Sequence, residues 1–240
     1  MVWKLGRIII IIIYYVICNV VNAEDLFFEN INFANSKQNF VKETLPLSLK
    51  EQAIINYNKG VELLKNSQEV EAAILFKKVL DVVPKHHKAR LQLVQLYNNI
   101  GWFDEVEKLL QIGLDLAPQH EDFIKHLAVI YNQKSHARKA LAILLTMPQH
   151  GTQQVDYLAL LALTYLHADQ ADMAEKHYRQ LLEFNKENAI WWLGLAVAED
   201  ASCKYKNALE SFNKAKDLGR FNSDTLEYIN NKLEQIKKYY

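Results

Sequence analysis

The chain has 240 residues, half of them hydrophobic, with 28 basic and 28 acidic side chains. That apolar share supports a buried core and excludes a disordered chain. The balanced charge shows no basic excess or stripe of the kind a nucleic-acid binder carries. Only 7 Gly and 4 Pro punctuate the whole length, too few for a sheet-rich or loop-rich fold, so helices are the default.

The first residues read as an address. Lys4 and Arg7 precede the apolar run Ile8–Val21, and Val21, Asn22 and Ala23 stand where a signal peptidase cuts. The run is 14 residues long, and a membrane-spanning helix needs about 20. A secretory signal peptide over 1–23, cleaved after Ala23, is the expectation. The alternative is an uncleaved anchor, which would be the chain's one contact with a membrane. Either way the working part lies outside the cytoplasm, periplasmic or secreted. Removing the leader takes Lys4 and Arg7 with it and leaves 26 basic against 28 acidic residues. Cys18 goes too, so the mature chain has Cys203 alone and no internal disulfide; the expected state of Cys203 is a buried thiol.

Residues 24–47 form a linker, partly ordered at best. Phe27, Phe28, Phe33 and Phe40 are scattered there among polar residues without a sustained period, and they can serve either a partner or the first helices. Past Pro46, Ser48 and Glu51 have the spacing of a capping box, so a helix should begin there.

From here the sequence repeats every 34 residues. Tyr97, Tyr131 and Tyr165 share one phase, as do Ala72, Ala140, Ala174 and Ala208. Phe76, Leu110, Leu144, Tyr178 and Phe212 make a column of large residues; Gly60, Val94, Ala128, Ala162 and Ala196 make one that is mostly small. Small residues allow two antiparallel helices to approach, and large ones fill the space beside them. Leu226, Ile229, Leu233 and Ile236 then recur at helical spacing behind Asn222, Ser223 and Asp224, which suit a helix start.

This set of columns over residues 53–222 resembles the tetratricopeptide-repeat (TPR) family, whose unit is a 34-residue helix–turn–helix. The last repeat supplies Trp192, Leu195, Ala196, Ala208, Phe212 and Ala215; the fourth supplies Leu161, Ala162, Tyr165, Ala174 and Tyr178. Pro84 and Pro118 close the first two repeats, whereas Lys186 and Arg220 stand in that place later, and Val94, Val106 and Gly113 depart from the pattern in the second. The resemblance implies an all-α, right-handed α-solenoid of about five repeats (53–86, 87–120, 121–154, 155–188, 189–222) within 48–222, closed by a capping helix over 223–240.

The resemblance also implies that the first helix of each repeat lines a concave groove. Its inward places carry Lys88, Leu91, Gln95 and Asn98; then Asp122, Lys125, Val129 and Asn132; then Asp156, Ala159, Leu163 and Leu166; then Leu193, Val197 and Asp200. Such a groove is polar early, more apolar late, and suits an amphipathic helix or mixed peptide. The competing reading is that Leu163, Leu166, Leu193 and Val197 pack on the capping helix. The run Trp191 to Ala198 is similar to the C-terminal TPR region of MSHA-type pilus biogenesis proteins, which implies an assembly factor for a type IV-like pilus or related envelope machine; the alternative for its tryptophans is ordinary core packing.

No chemistry is legible. The eight histidines show no zinc-helix spacing, glycines are too few for a phosphate loop, and the carboxylates are expected on solvent faces. The sequence reads as a non-enzymatic scaffold without cofactor, holding protein or peptide partners; the pilus resemblance implies that these are envelope-complex components. A periplasmic chaperone-like holder and a regulatory subunit docking a cell-envelope enzyme stay open beside it.

Overall fold

The computed structural model describes residues 47–147 and 155–239. The leader over 1–23 and the linker over 24–46 lie outside the described residues. Every regular element among the described residues is a helix. They divide into two compact units, one closing at Pro118 and the other opening at Gln119. The first holds α1 (Leu49–Lys65), α2 (Glu69–Val82), α3 (His87–Asn99) and α4 (Phe103–Leu116). The second holds α5 (Glu121–Gln133), α6 (Ala137–Leu144), α7 (Val155–His167), α8 (Ala171–Phe184), α9 (Ala189–Ala201), α10 (Tyr205–Leu218) and α11 (Ser223–Lys237).

The period of 34 is kept to the residue. Helices α3, α5, α7, α9 and α11 start at His87, Glu121, Val155, Ala189 and Ser223. The second helices of the five hairpins start at Glu69, Phe103, Ala137, Ala171 and Tyr205 with the same step. Below, the place of a residue is counted from Ala53, His87, Glu121, Val155 and Ala189 as place 1. Four of the starts, those of α1, α3, α9 and α11, are set by side chains that accept orphan backbone N–H groups. The Ser48–Glu51 capping box forms: Glu51 N–H donates to Ser48 Oγ at 3.3 Å, and Ser48 N–H donates to Glu51 Oε2 at 2.8 Å. Asn188 and Asn222 cap α9 and α11 through their side-chain oxygens, which accept from backbone N–H groups of the first turn. His86 caps α3, its Nδ1 accepting from Ala89 N–H at 3.1 Å. Burial keeps this imidazole below its ordinary pKa, as an accepting ring nitrogen requires.

Each hairpin turns through one left-handed residue at place 15: Ser67, Gly101, Ser135, Asp169 and Cys203, with φ between 57° and 77°. The following N–H reaches back to the carbonyl of place 11, as in Gln68 to Leu63 (2.9 Å), Trp102 to Tyr97 (2.9 Å) and Lys204 to Glu199 (2.8 Å). This is the Schellman closure, which satisfies orphan carbonyls and stops the helix. Cys203 is therefore exposed at a turn tip, not buried as its lone occurrence suggested.

The columns are the core. Ala72, Val106, Ala140, Ala174 and Ala208 at place 20 are all buried, and so are Phe76, Leu110, Leu144, Tyr178 and Phe212 at place 24. Contact between the helices is so close that a Cβ added at Gly60 would lie 2.8 Å from the Phe76 ring. One added at Gly194 would lie 2.2 Å from the Tyr178 ring. The glycine of the Trp191–Ala198 run thus has a packing reason: it seats the tyrosine of the preceding hairpin. Trp192 is partly buried against the last core cluster, donates Nε1–H to Lys186 O at 2.7 Å, and lies under the Lys214 ammonium.

Helix α6 stops after 8 residues, where α8 and α10 run to 14. The register survives because Met147 takes the buried place 27 held elsewhere by Val79, Leu181 and Ala215. The Tyr157 hydroxyl donates at 3.4 Å to the Leu144 carbonyl, which also accepts from Met147 N–H at 3.1 Å. At the C-terminal end, Ile229, Leu233 and Ile236 of α11 bury Leu193, Phe212 and Ala215, which makes α11 the capping helix the repeat pattern calls for. At the other end α1 differs from the later first helices. Places 7 and 10 are Leu93 and Leu96, Leu127 and Ile130, Leu161 and Thr164, Leu195 and Ala198, all buried; in α1 they are Lys59 and Glu62, both exposed.

Gly101 isolates the backbone term of the turn. A Cβ there would meet nothing within 4 Å, yet φ is +77°. Gly101→Ala should cost about 1 kcal/mol through left-handed strain alone, read as a lower denaturation midpoint with unchanged far-ultraviolet circular dichroism.

Candidate functional site

The candidate recognition residues of the sequence all lie on the first helices of the hairpins. In the first unit, Lys88 and Gln95 of α3 are exposed, and Leu91 and Asn98 are half-buried. The Oδ1 of Asn98 is enclosed and has no hydrogen-bond partner among the described residues.

In the second unit the same places diverge. Lys125 is partly exposed and paired with Asp122 at 3.5 Å; Val129, Asp156 and Leu166 are half-buried. Asn132, Leu163 and Leu193 are buried, as is Ala159. Asn132 Nδ2 donates to Thr164 Oγ1 at 2.7 Å, and the Thr164 hydroxyl donates to Leu160 O at 2.7 Å. This polar link joins α5 to α7. Leu193 belongs to the C-terminal core cluster, Val197 packs on it, and Asp200 is paired with Lys232 of α11. The last repeat's inward places are therefore largely spent on the capping helix.

Two histidines share this face without having been singled out. His126 lies one and two turns from Val129 and Gln133 on α5, and His167 occupies on α7 the place that Gln133 has on α5. Burial lowers the pKa of both rings, so they are neutral hydrogen-bonding groups at neutral pH. The Oε1 of Gln133 and the Nδ1 of His167 are enclosed with no partner among the described residues. The advance signals were the spacing of His126 from Val129 and the 34-residue step from Gln133 to His167.

The second unit also holds a charged network that the repeat pattern hid. Glu199 stands at place 11, where other repeats carry Tyr97, Tyr131 and Tyr165, and it is 1% exposed. Its carboxylate accepts from Arg179 at 2.6 Å and from Ser211 at 2.7 Å. Arg179 also meets Glu175 at 3.0 Å, and Lys204 bridges Glu175 (2.7 Å) and Asp172 (3.0 Å). The carboxylates are thus not all on solvent faces. Burial raises the Glu199 pKa by more than Ser211 and Arg179 lower it. Burial also pushes Glu175 upward, but hydrogen bonds from Lys204 and Arg179 outweigh this and leave it low; Lys204 lowers Asp172. Two carboxylates with values pushed apart can do acid–base work in a cleft. Here Arg179, Ser211 and Lys204 occupy them, and the arrangement ties α8, α9 and α10 together. Among the described residues no group of three or more His, Cys, Asp or Glu could hold a metal ion, and no helix is long and apolar enough to cross a membrane.

Helical hairpins in a 34-residue register, small residues at their crossings and a capping helix define a tetratricopeptide-repeat α-solenoid. Solved structures agree with that fold. The crystal structure of MamA superposes with a TM-score of 0.63 and 19% identity, over 70% of this chain and 92% of that one. MamA from residue 41 onward of Desulfovibrio magneticus RS-1 gives 0.65 and 17%, over 71% and 97%. YrrB, described as a TPR protein with an unusual peptide-binding site, gives 0.65 and 16%, over 73% and 91%. No protein-family model matches the sequence, and no curated protein does.

Glu199 gives the network a testable signature. Its folded pKa is raised, so its contribution to stability is complete below the unfolded value and is lost as pH rises through the folded one. Asp172 and Glu175, held low, contribute in the opposite sense and lose their contribution as pH falls. Glu199→Gln should therefore gain stability relative to the parent as pH is raised from about 5 to about 8. Urea denaturation of both proteins across that range checks the sign; a relative loss on going upward would contradict it.

Proposed function

We propose that this chain is an exported TPR adaptor that holds a protein or peptide partner on the first-helix faces of its hairpins and takes part in assembling an envelope machine. The single observation carrying the binding role is the set of first-helix side chains not consumed by packing: Lys88 and Gln95 on α3, and Lys125, Val129 and Asp156 on the second unit. These combine charge, amide and apolar groups, the mixture that reads an extended or helical peptide. The peptide-binding description of YrrB supports the same use of the fold. The Trp191–Ala198 run, similar to pilus biogenesis TPR regions, favours a type IV-like pilus or secretion apparatus as the setting. Catalysis has no part in this reading.

Export is supported by the order of Lys4, Arg7, the run Ile8–Val21 and Ala23. In cell fractions, the processed protein should be found outside the cytoplasm with Glu24 as its first residue. A cytoplasmic chain still beginning at Met1 would defeat the export half of the proposal.

The binding half is tested with a variant that leaves the core alone. Lys88→Glu, Gln95→Glu and Lys125→Glu together should reduce recovery of envelope partners at least tenfold in a pull-down, while Lys176→Glu on an exposed place of α8 should not. Equal recovery by both variants would place the binding surface elsewhere.

A further inference from the structure

In four of the five hairpins the residues on either side of the left-handed turn position, places 14 and 16, are polar or small. They are Asn66 and Gln68, Lys134 and His136, Ala168 and Gln170, and Ser202 and Lys204. In the second hairpin they are Ile100 and Trp102, each 55% exposed. Open space surrounds Gly101 between them. The Trp102 ring leans on Tyr97, with centroids 5.3 Å apart, which orients it without covering it. Helix α3 packs on α2 and returns to the end where α2 began, so both turns lie at one end of the first unit. Val70, 72% exposed in the first turn of α2, adds a third apolar side chain at that end. Tryptophan is the residue type in which interface binding energy concentrates.

The charges around this apolar tip select its occupant. The first turns of α2 and α4 carry Glu69, Glu71, Asp104 and Glu105. Against them stand Lys65 and Lys108, the latter already paired with Glu105 at 2.8 Å. Such a tip repels an anionic surface and attracts a cationic one. The turn of the third hairpin, in the second unit, is its opposite. Lys134, His136, Arg138 and Lys139 fall within six residues there, and the first turn of α6 has no acid. Cations at a helix N-terminus oppose the macrodipole. Helices α2, α4 and α8 obey that rule with acids in the first turn, and the short α6 does not. On the neighbouring turn Asp172 is held by Ser202 and Lys204, which leaves Asp169 against Lys134, Arg138 and Lys139. Arg138 is exposed. A guanidinium both stacks on a tryptophan face and takes a carboxylate in a fork. One chain therefore carries an exposed tryptophan among carboxylates and, on its other unit, an exposed cationic turn that matches it.

We propose that the turn end of the first unit docks on the third-hairpin turn of a second copy of this chain. The partner's Arg138 stacks on Trp102, while Asp104 and Glu105 face the partner's Lys139. The contact uses turn ends, so the first-helix places of Lys88 and Lys125 stay open to the peptide partner.

The test is sedimentation equilibrium of the full-length protein, from about 1 to about 100 μM. Its weight-average mass should rise with concentration, and raising salt from about 0.05 M to about 0.5 M should weaken the association at least tenfold. Asp104→Lys with Glu105→Lys, and separately Arg138→Glu with Lys139→Glu, should each weaken it at least tenfold. A one-to-one mixture of these two variants should recover it, because each then meets an opposite charge. Trp102→Ser gives α4 an ordinary N-cap residue, so it keeps the fold while removing the stacking face; it too should weaken association at least tenfold. A mass that stays monomeric throughout, association indifferent to salt, to either charge variant or to Trp102→Ser, or a mixture that fails to recover it, would each overturn the proposal.

Discussion

Antiparallel helices can lie close only where one of them offers almost no side chain, and that steric constraint organises this chain. Gly60 admits the Phe76 ring within one hairpin, and Gly194 admits the Tyr178 ring from the preceding one. Alanines at places 8 and 20 do the same work in the third and fourth hairpins, and the second has Val94 and Val106 there. A helix pair set this close still has one apolar side uncovered, because the large residue at place 24 faces outward from the crossing as well as into it. Within each unit the next first helix packs on that side, α3 on α2, α7 on α6 and α9 on α8, and α11 does so at the end. Within each unit stability is therefore shared between neighbours, which is the behaviour expected of repeat arrays.

The same constraint explains what the sequence revealed. Side-chain size repeats at places 8, 20 and 24, and size is what the crossings select, so the hairpins and their phase were legible from the alanine and aromatic columns. The turns were less so. Their common feature is a backbone angle at place 15, and Ser67, Ser135, Asp169 and Cys203 adopt it without the glycine that would have announced it; Cys203 was misjudged for that reason. Glu199 was hidden because a carboxylate at a tyrosine place looks like surface until Arg179 and Ser211 are seen to enclose it. The early end of α6 was also missed, since Met147 keeps the core filled after the helix has stopped.

For the candidate site, helical register put the chosen residues on the first helices, but it could not say which of them would be absorbed by packing. Lys88 and Gln95 are long and polar and stay in solvent. Leu163 and Leu193 are apolar at equivalent places and go into the core, Leu193 under α11. Asn132 is drawn inward by Thr164, a partner 32 residues away that spacing alone does not pick out. A recognition surface built this way is polar for a physical reason: what remains exposed on a repeat scaffold is what its neighbours could not use.

The charged far half of α1 has a consequence for how such a chain can grow. Lys59 and Glu62 stand where every later first helix has a buried residue, and α11 turns lysines, asparagines and glutamates outward at the opposite terminus. Neither α1 nor α11 carries along its outer face the full apolar row that joins consecutive hairpins. A hairpin duplicated in the interior, between two Schellman turns, would instead meet flanks that already carry the matching surfaces.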